Sequence, residues 1–298
     1  MKLASFTHGG VMKIGSVVDD EVRIIANKSR NESLTLLDLL DAGDQGRAYI
    51  RQCLSGATET FKLRDVKLQA PIAHPRKFLG LGGNYHAHIA EIKRKMPNFV
   101  QPDNQVWFNK QVTCIVGPTD AIHKPSVSDA LDYEAELAVV IGRKCRHVQV
   151  ADAHKVIAGY MVCNDVSVRD WQMRSPTGTL GKSFDTHGPT GPWLTLGMSI
   201  DEAQDLEVQT HVNGGLRQQG RTSDFIYGIR EMIAELTTVF TLEPGDILAT
   251  GTPPGVGAAM TPPGFLRVGD IVRIEIEKLG VLENPVVAEP APAPLPLI

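Results

Sequence analysis

Asp132-Tyr133-Glu134-Ala135-Glu136-Leu137-Ala138-Val139-Val140-Ile141-Gly142 is the stretch on which the reading of this chain turns. Leu137 to Ile141 is an unbroken apolar run of strand length, the pattern of a strand buried on both faces. Glu134 and Glu136 stand two residues apart at its start, so both side chains leave on the same face. Two carboxylates driven into one interior repel each other, and each is costly to bury unless a cation compensates it. Two readings follow. Either a hard, oxygen-ligating ion such as Mg²⁺, Mn²⁺ or Ca²⁺ sits between them, or the segment is a strand edge with two solvated glutamates.

Further along, Tyr160-Met161-Val162-Cys163 reads as a strand, and Asn164-Asp165 follows it directly. Asp165 is either a third ligand or an ordinary turn residue. In Gly181-Lys182-Ser183-Phe184-Asp185, Lys182 sits in a glycine-flanked, turn-rich stretch, where a lone lysine is by default a surface charge. His88 and Glu91 are three apart in an expected helix and so are surface neighbours. That spacing suits a base oriented by a carboxylate and able to activate water, or else an exposed pair with no chemistry. Thr250-Gly251-Thr252-Pro253-Pro254-Gly255-Val256-Gly257 is a rigid loop whose backbone can approach a ligand closely.

The flanking elements are read from periodicity and turn chemistry. Residues 1–65 form a small leading unit: Met1 to His8 alternates like a strand, and 13–18 with 22–25 make a hairpin around Asp19-Asp20. A helix over 35–40 follows, with Thr35 and Asp38 at capping-box spacing and Gly43 as its stop, then a second helix ending at Gly56. Pro71 and Pro75 mark the entry to a main body over 66–286. Within it, Leu206, Val208, Thr210 and Val212 alternate before an Asn213-Gly214-Gly215 turn. A helix is expected over 224–240, capped by Ser223 or Asp224, and a strand over 271–276. Residues 287–298 are a tail with proline at every second position from Pro290 to Pro296, an extended polyproline pattern.

Composition bounds the classes of function. The 298 residues, 42% hydrophobic and 21% charged with a net charge of −4, are those of a globular protein without a basic face for nucleic acid or anionic membrane. No apolar run reaches the ~18 residues of a membrane span, and no signal-peptide pattern is present, so a cytoplasmic enzyme is expected. Cys53, Cys114, Cys145 and Cys163 have no paired spacing and are expected as free thiols.

Taken in order, these segments resemble the fumarylacetoacetate hydrolase (FAH) family over roughly residues 66 to 286. The resemblance runs through Gly83-Asn84-Tyr85-x-x-His88-x-x-Glu91, Phe108-x-Lys110 and Asp132-Tyr133-Glu134-x-Glu136-Leu137. It continues through Asn164-Asp165-x-Ser167-x-Arg169-Asp170-x-Gln172, Gly181-Lys182-Ser183-Phe184-Asp185 and Gly251-Thr252-Pro253-x-Gly255-Val256-Gly257. It implies an α+β fold, a β-rich roll of mixed sheets with flanking helices behind a small N-terminal domain, paired as a homodimer. It also implies metal ligation by Glu134, Glu136 and Asp165, with Mg²⁺ or Mn²⁺ as the ion and Ca²⁺ as a substitute in crystals. By the same resemblance His88 with Glu91 is a water-activating pair on a mobile lid, and Lys182 stands beside a developing enolate. Gln172 and Thr252 would touch substrate, and Arg169 and Lys110 would either join them or organise the site. Gly83, Gln111 and Thr186-His187-Gly188 depart from the family's usual pattern and leave the substrate open.

The chemistry these residues suit is that of a small 2-oxo acid. Its carboxylate and carbonyl oxygen chelate the ion, which stabilises an enolate. The first expectation is hydrolysis of a carbon–carbon bond in an acylpyruvate or 1,3-diketo acid, in catabolism of aromatic or other small carboxylic acids. The alternative is a decarboxylase, dehydratase or tautomerase of a 2-oxo (di)acid through the same metal and enolate. A non-catalytic metal- or ligand-binding protein is the third.

Overall fold

Ala135–Ile141 is a strand with every residue buried, paired on one side with Ile157–Asn164 and on the other with Ile247–Ala249. Its unbroken apolar run has a simple cause. Leu137, Val139 and Ile141 point into one hydrophobic core, and Ala138 and Val140 into a second on the opposite face of the sheet. The structure, a computed structural model, describes residues 1–25, 34–56 and 59–291.

This strand lies within a twelve-stranded mixed sheet. From it the order runs outward through Ile157–Asn164, Gly188–Leu196 and Lys2–His8 to the N-terminal strands Val11–Val18, Glu21–Ile24 and Thr60–Lys62. In the other direction it passes through Ile247–Ala249 and Phe78–Gly82 to Val106–Lys110. Most pairs are antiparallel, but Phe78–Gly82 and Ile247–Ala249 run parallel. A five-stranded sheet, ordered Gly215–Arg221, Glu207–Val212, Ile271–Ile276, Gly280–Ala288 and Ile122–Lys124, closes over the first core with Val208, Ile274 and Leu282. With helices flanking both sheets, the molecule is the α+β roll of mixed sheets expected from the sequence.

Local chemistry placed most elements where they were expected. Thr35 and Asp38 form the capping box, each side chain accepting from the other's backbone N–H, ahead of the helix Leu36–Asp41. Gly43, with φ of 56°, opens the second helix, which ends against Gly56. Asn213 and Gly214, at φ of 52° and 79°, make the two-residue turn between Glu207–Val212 and Gly215–Arg221. None of the four cysteines is in a disulfide. Among the described residues no helix is long and apolar enough to cross a membrane. Of the proline-rich tail, Val287 and Ala288 complete the strand Gly280–Ala288, and residues 292–298 lie outside the described residues.

The helix expected over 224–240 begins five residues later, at Ile229, and ends at Val239. Asp224 does not cap it. Its Oδ2 accepts instead from the N–H of Ala87, in the first turn of the helix His86–Lys95. Phe225 packs edge-on against Tyr85 with ring centroids 5.0 Å apart, and the N–H of Tyr227 donates to Asn84 Oδ1. The segment ahead of Ile229 is therefore drawn out of helical geometry to hold the 84–87 loop, which carries the helix that brings His88 to the site.

Candidate active site and metal centre

Two adjacent strands bring the carboxylates together. Glu136 lies opposite Cys163 in the ladder, and the N–H of Asp165 donates to the Glu134 carbonyl at 2.9 Å. Glu134, Glu136 and Asp165 are 5%, 2% and 0% exposed, and each offers an oxygen within 4.8 Å of the others. The reading of solvated glutamates on an open edge is thereby excluded, and Asp165 is no exposed turn residue.

Three cations surround them. Lys182 donates from Nζ to Glu134 Oε2 and to Asp165 Oδ2, the latter at 2.5 Å. Lys110 reaches the other oxygen of Asp165 at 2.7 Å and the carbonyls of Lys182 and His187. Arg169 places Nη1 2.7 Å from Glu134 Oε1 and Nε 2.8 Å from Asp132 Oδ2. Against Lys110, Arg169 and Lys182 stand four buried carboxylates, Asp132, Glu134, Glu136 and Asp165, so one negative charge is left over.

That excess falls on Glu136, whose carboxylate, among the described residues, accepts only the Gly251 N–H at 2.8 Å. Burial, then the nearby Asp165 and Glu134, push its carboxyl well above the usual range. Burial would raise Glu134 too, but Arg169 and Lys182 outweigh it and hold that carboxyl below the usual range. The set fits a hard divalent cation: the donors are all carboxylate oxygens, and an ammonium already occupies part of the space among them. With the Glu136 proton kept, the metal-free cluster sums to zero, and a divalent ion that displaced it would bring the sum to +1, which suits an anionic substrate.

A cavity of about 530 Å³ opens over this cluster, lined by His88, Glu134, Glu136, Gln172, Lys182 and Thr252 among others. Arg169 also reaches its wall, where Nη1 donates to Gln172 Oε1 at 3.1 Å. Asp165 lies beneath Lys182 and Glu91 behind His88. His88 Nδ1 is 2.9 Å from Glu91 Oε2, and Glu91 Oε1 accepts from the N–H of Gly255 at 2.8 Å. Since a carboxylate only accepts, Nδ1 carries a proton, so in the neutral ring Nε2 is the nitrogen with the free lone pair.

Sequence reasoning missed the groups that hold these side chains in place. Gln218, fully buried, accepts from the Ala135 N–H and Thr210 and donates to Thr252 Oγ1 and the Pro253 carbonyl. Its only signal was a polar residue at an inward position of a strand. Asp132, inside the quoted motif, accepts from the N–H groups of Gly257 and Ala258 as well as from Arg169. Lys110, left between substrate contact and organiser, is fully engaged by Asp165 and two carbonyls. His187 is buried, its ring pushed down to about 3 by desolvation, and its Nε2 donates to the His123 carbonyl. Gln111 gives its N–H to Ser183 Oγ at 3.0 Å, a bond that proline there could not make.

The profile described as "Fumarylacetoacetate (FAA) hydrolase C-terminal" matches residues 77–287. The chain is 38% identical to "Oxaloacetate tautomerase YisK" of Bacillus subtilis over 95% of this chain and 99% of that protein. It is 38% identical to "Oxaloacetate tautomerase fahd2, mitochondrial" of Xenopus laevis over 92% and 86% of the two chains. Among solved structures, maleylpyruvate hydrolase from Sphingobium sp. SYK-6, in complex with manganese (II) ion and pyruvate, superposes with a TM-score of 0.79. That likeness carries 32% identity over 97% of this chain and 99% of that one.

The raised carboxyl of Glu136 has a measurable consequence. In metal-free protein the folded state keeps a proton that the unfolded chain gives up near the ordinary value of 4.5. Stability contributed by that proton is present below this value and declines as pH rises, by up to ~1.4 kcal/mol per pH unit. Glu136→Gln removes the slope. In chelator, the variant is expected to gain on the wild type in thermal melts between about pH 5 and about pH 7. Adding Mn²⁺ at the upper pH should raise the wild type and leave the variant unmoved. Parallel pH profiles for the two proteins in chelator would contradict this charge assignment.

Proposed function

The chain belongs to the fumarylacetoacetate hydrolase family, and from that premise we propose that it is a metal-dependent keto–enol tautomerase of a small 2-oxo dicarboxylate such as oxaloacetate. One observation carries the reading. Two carboxylates of the buried triad, Glu134 and Glu136, the Lys182 ammonium and the oriented His88 imidazole all line a single cavity of about 530 Å³, with Asp165 held beneath Lys182. Oxaloacetate tautomerases similar to this chain over almost its whole length support the choice of reaction.

Glu134, Glu136 and Asp165 would hold Mg²⁺ or Mn²⁺. When bound, the ion supplies Lewis-acid polarisation of the 2-oxo group. The chain's own residues do the rest. Lys182 sets a positive charge beside the oxygen on which negative charge develops, an effect worth about 3–4 kcal/mol for one well-placed donor. His88 Nε2 takes the proton from the carbon next to the carbonyl and delivers it to the enolate oxygen, and the reverse transfer, from the enol oxygen to that carbon, gives back the ketone. Glu91, fixed by the Gly255 N–H, keeps the ring in the required tautomer and stabilises it when doubly protonated. Gln172 and Thr252 would contact substrate. Arg169, engaged by Asp132, Glu134 and Gln172, would organise the centre.

Hydrolysis of a carbon–carbon bond in an acylpyruvate is the second reading. The His88–Glu91 pair favours it, because the same free nitrogen can deprotonate a water. Decarboxylation of the same class of substrate would use the triad and Lys182 alike. We also propose a homodimer, which covers sheet edges such as Gly215–Arg221 and Ile122–Lys124. The four free thiols accord with a reducing cytoplasm.

Enol oxaloacetate mixed with the protein should lose its ultraviolet absorbance faster than in buffer, dependent on Mg²⁺ or Mn²⁺ and abolished by chelator. His88→Ala should slow this by ~10²–10⁴. No acceleration of the enol decay would sink the tautomerase reading. In ¹⁸O-labelled water an acylpyruvate cleaved with label in the new carboxylate would promote the hydrolase instead. Sedimentation should give twice the 32.4 kDa chain mass, and a stable single-chain species at micromolar concentration would count against the dimer.

A further inference from the structure

The cavity wall carries one arginine that, among the described residues, no carboxylate holds. Arg169 is bound by Asp132 and Glu134, and Lys182 by Glu134 and Asp165. Arg174 also lines the cavity, and among the described residues it makes no ion pair. Its guanidinium instead stacks on Trp171, 3.6 Å from the ring centroid. Trp171 is itself braced edge-on by Phe184 at 5.3 Å, so the platform under the guanidinium is part of the packed body.

Stacking fixes the plane of an arginine while leaving the N–H groups at its edge free, the geometry that accepts a carboxylate side by side. Much of the remaining wall cannot do so: Leu81, Ile92 and Phe108 are apolar, and Glu134 and Glu136 are anionic. A substrate with a second carboxylate must place it against a positive group at some distance from the triad. Resting on the reading above, we propose that Arg174 is the subsite for the distal carboxylate, so that the enzyme selects 2-oxo dicarboxylates over 2-oxo monocarboxylates.

Malate and lactate test this without turnover. Both present a carboxylate and a 2-hydroxyl, which stands in for the 2-oxo oxygen, and only malate has a second carboxylate. In calorimetric titrations of Mn²⁺-loaded protein, the wild type is expected to bind malate more tightly than lactate. Arg174→Gln should weaken malate about tenfold, the scale of one well-formed arginine–carboxylate pair, and shift lactate by less than about twofold. Arg174 is exposed, so the variant should melt with the wild type. Equal weakening of both ligands, unchanged malate binding in the variant, or a wild type that does not discriminate would each overturn the assignment. A wild type that selects malate yet leaves enol oxaloacetate untouched would refute the tautomerase reading and leave the subsite standing.

Discussion

Three carboxylates share one buried point in this molecule, and their mutual repulsion is the constraint around which the site is organised. The cost of burying like charges is met on three sides. Lys182 bridges Glu134 and Asp165, Lys110 takes the far oxygen of Asp165, and Arg169 joins Glu134 to Asp132. These cations are held in turn by features that otherwise look unrelated. The carbonyl of His187 receives Lys110, and the N–H groups of Gly257 and Ala258 fix Asp132. The compensation stops one charge short, at Glu136. That shortfall is what would make the centre a receptor for a divalent ion rather than a closed salt-bridge network.

Chemistry and scaffold meet at the loop 250–257. Gly251 donates to Glu136, Thr252 faces the cavity, and Gly255 donates to Glu91 behind the imidazole. A single segment thus touches both the carboxylate triad and the Glu91 that orients the imidazole. Gln218 pins it to the strand that carries the glutamates. The relative position of the carboxylate triad and the imidazole is therefore set by backbone on rigid elements, as proton transfer to a defined carbon would require.

Much of this was legible in the sequence because the relevant signals were local. Two glutamates two apart on an apolar strand, a histidine and a glutamate three apart on a helix, and a Thr35–Asp38 box each imply a geometry within a few residues. What escaped depends on distant partners. Asp224 followed by an amphipathic stretch reads as a helix cap, yet its carboxylate serves the N–H of Ala87, 137 positions away. Gln218 looks like an ordinary polar residue until the fold sets it against Ala135, and the choice left open for Lys110, substrate contact or organiser, is decided only by its bond to Asp165. The choice between attacking water and moving a proton was not legible either, since one oriented imidazole beside one carboxylate triad would serve both.

The central claim is that Glu134, Glu136 and Asp165 together hold a single divalent ion. Electron paramagnetic resonance of free Mn²⁺, followed as the metal-free protein is added, measures this directly. The account predicts one Mn²⁺ taken up per chain by the wild type, and loss of that uptake in Asp165→Asn with the fold retained. Uptake by the variant equal to the wild type, or none by the wild type, would contradict it.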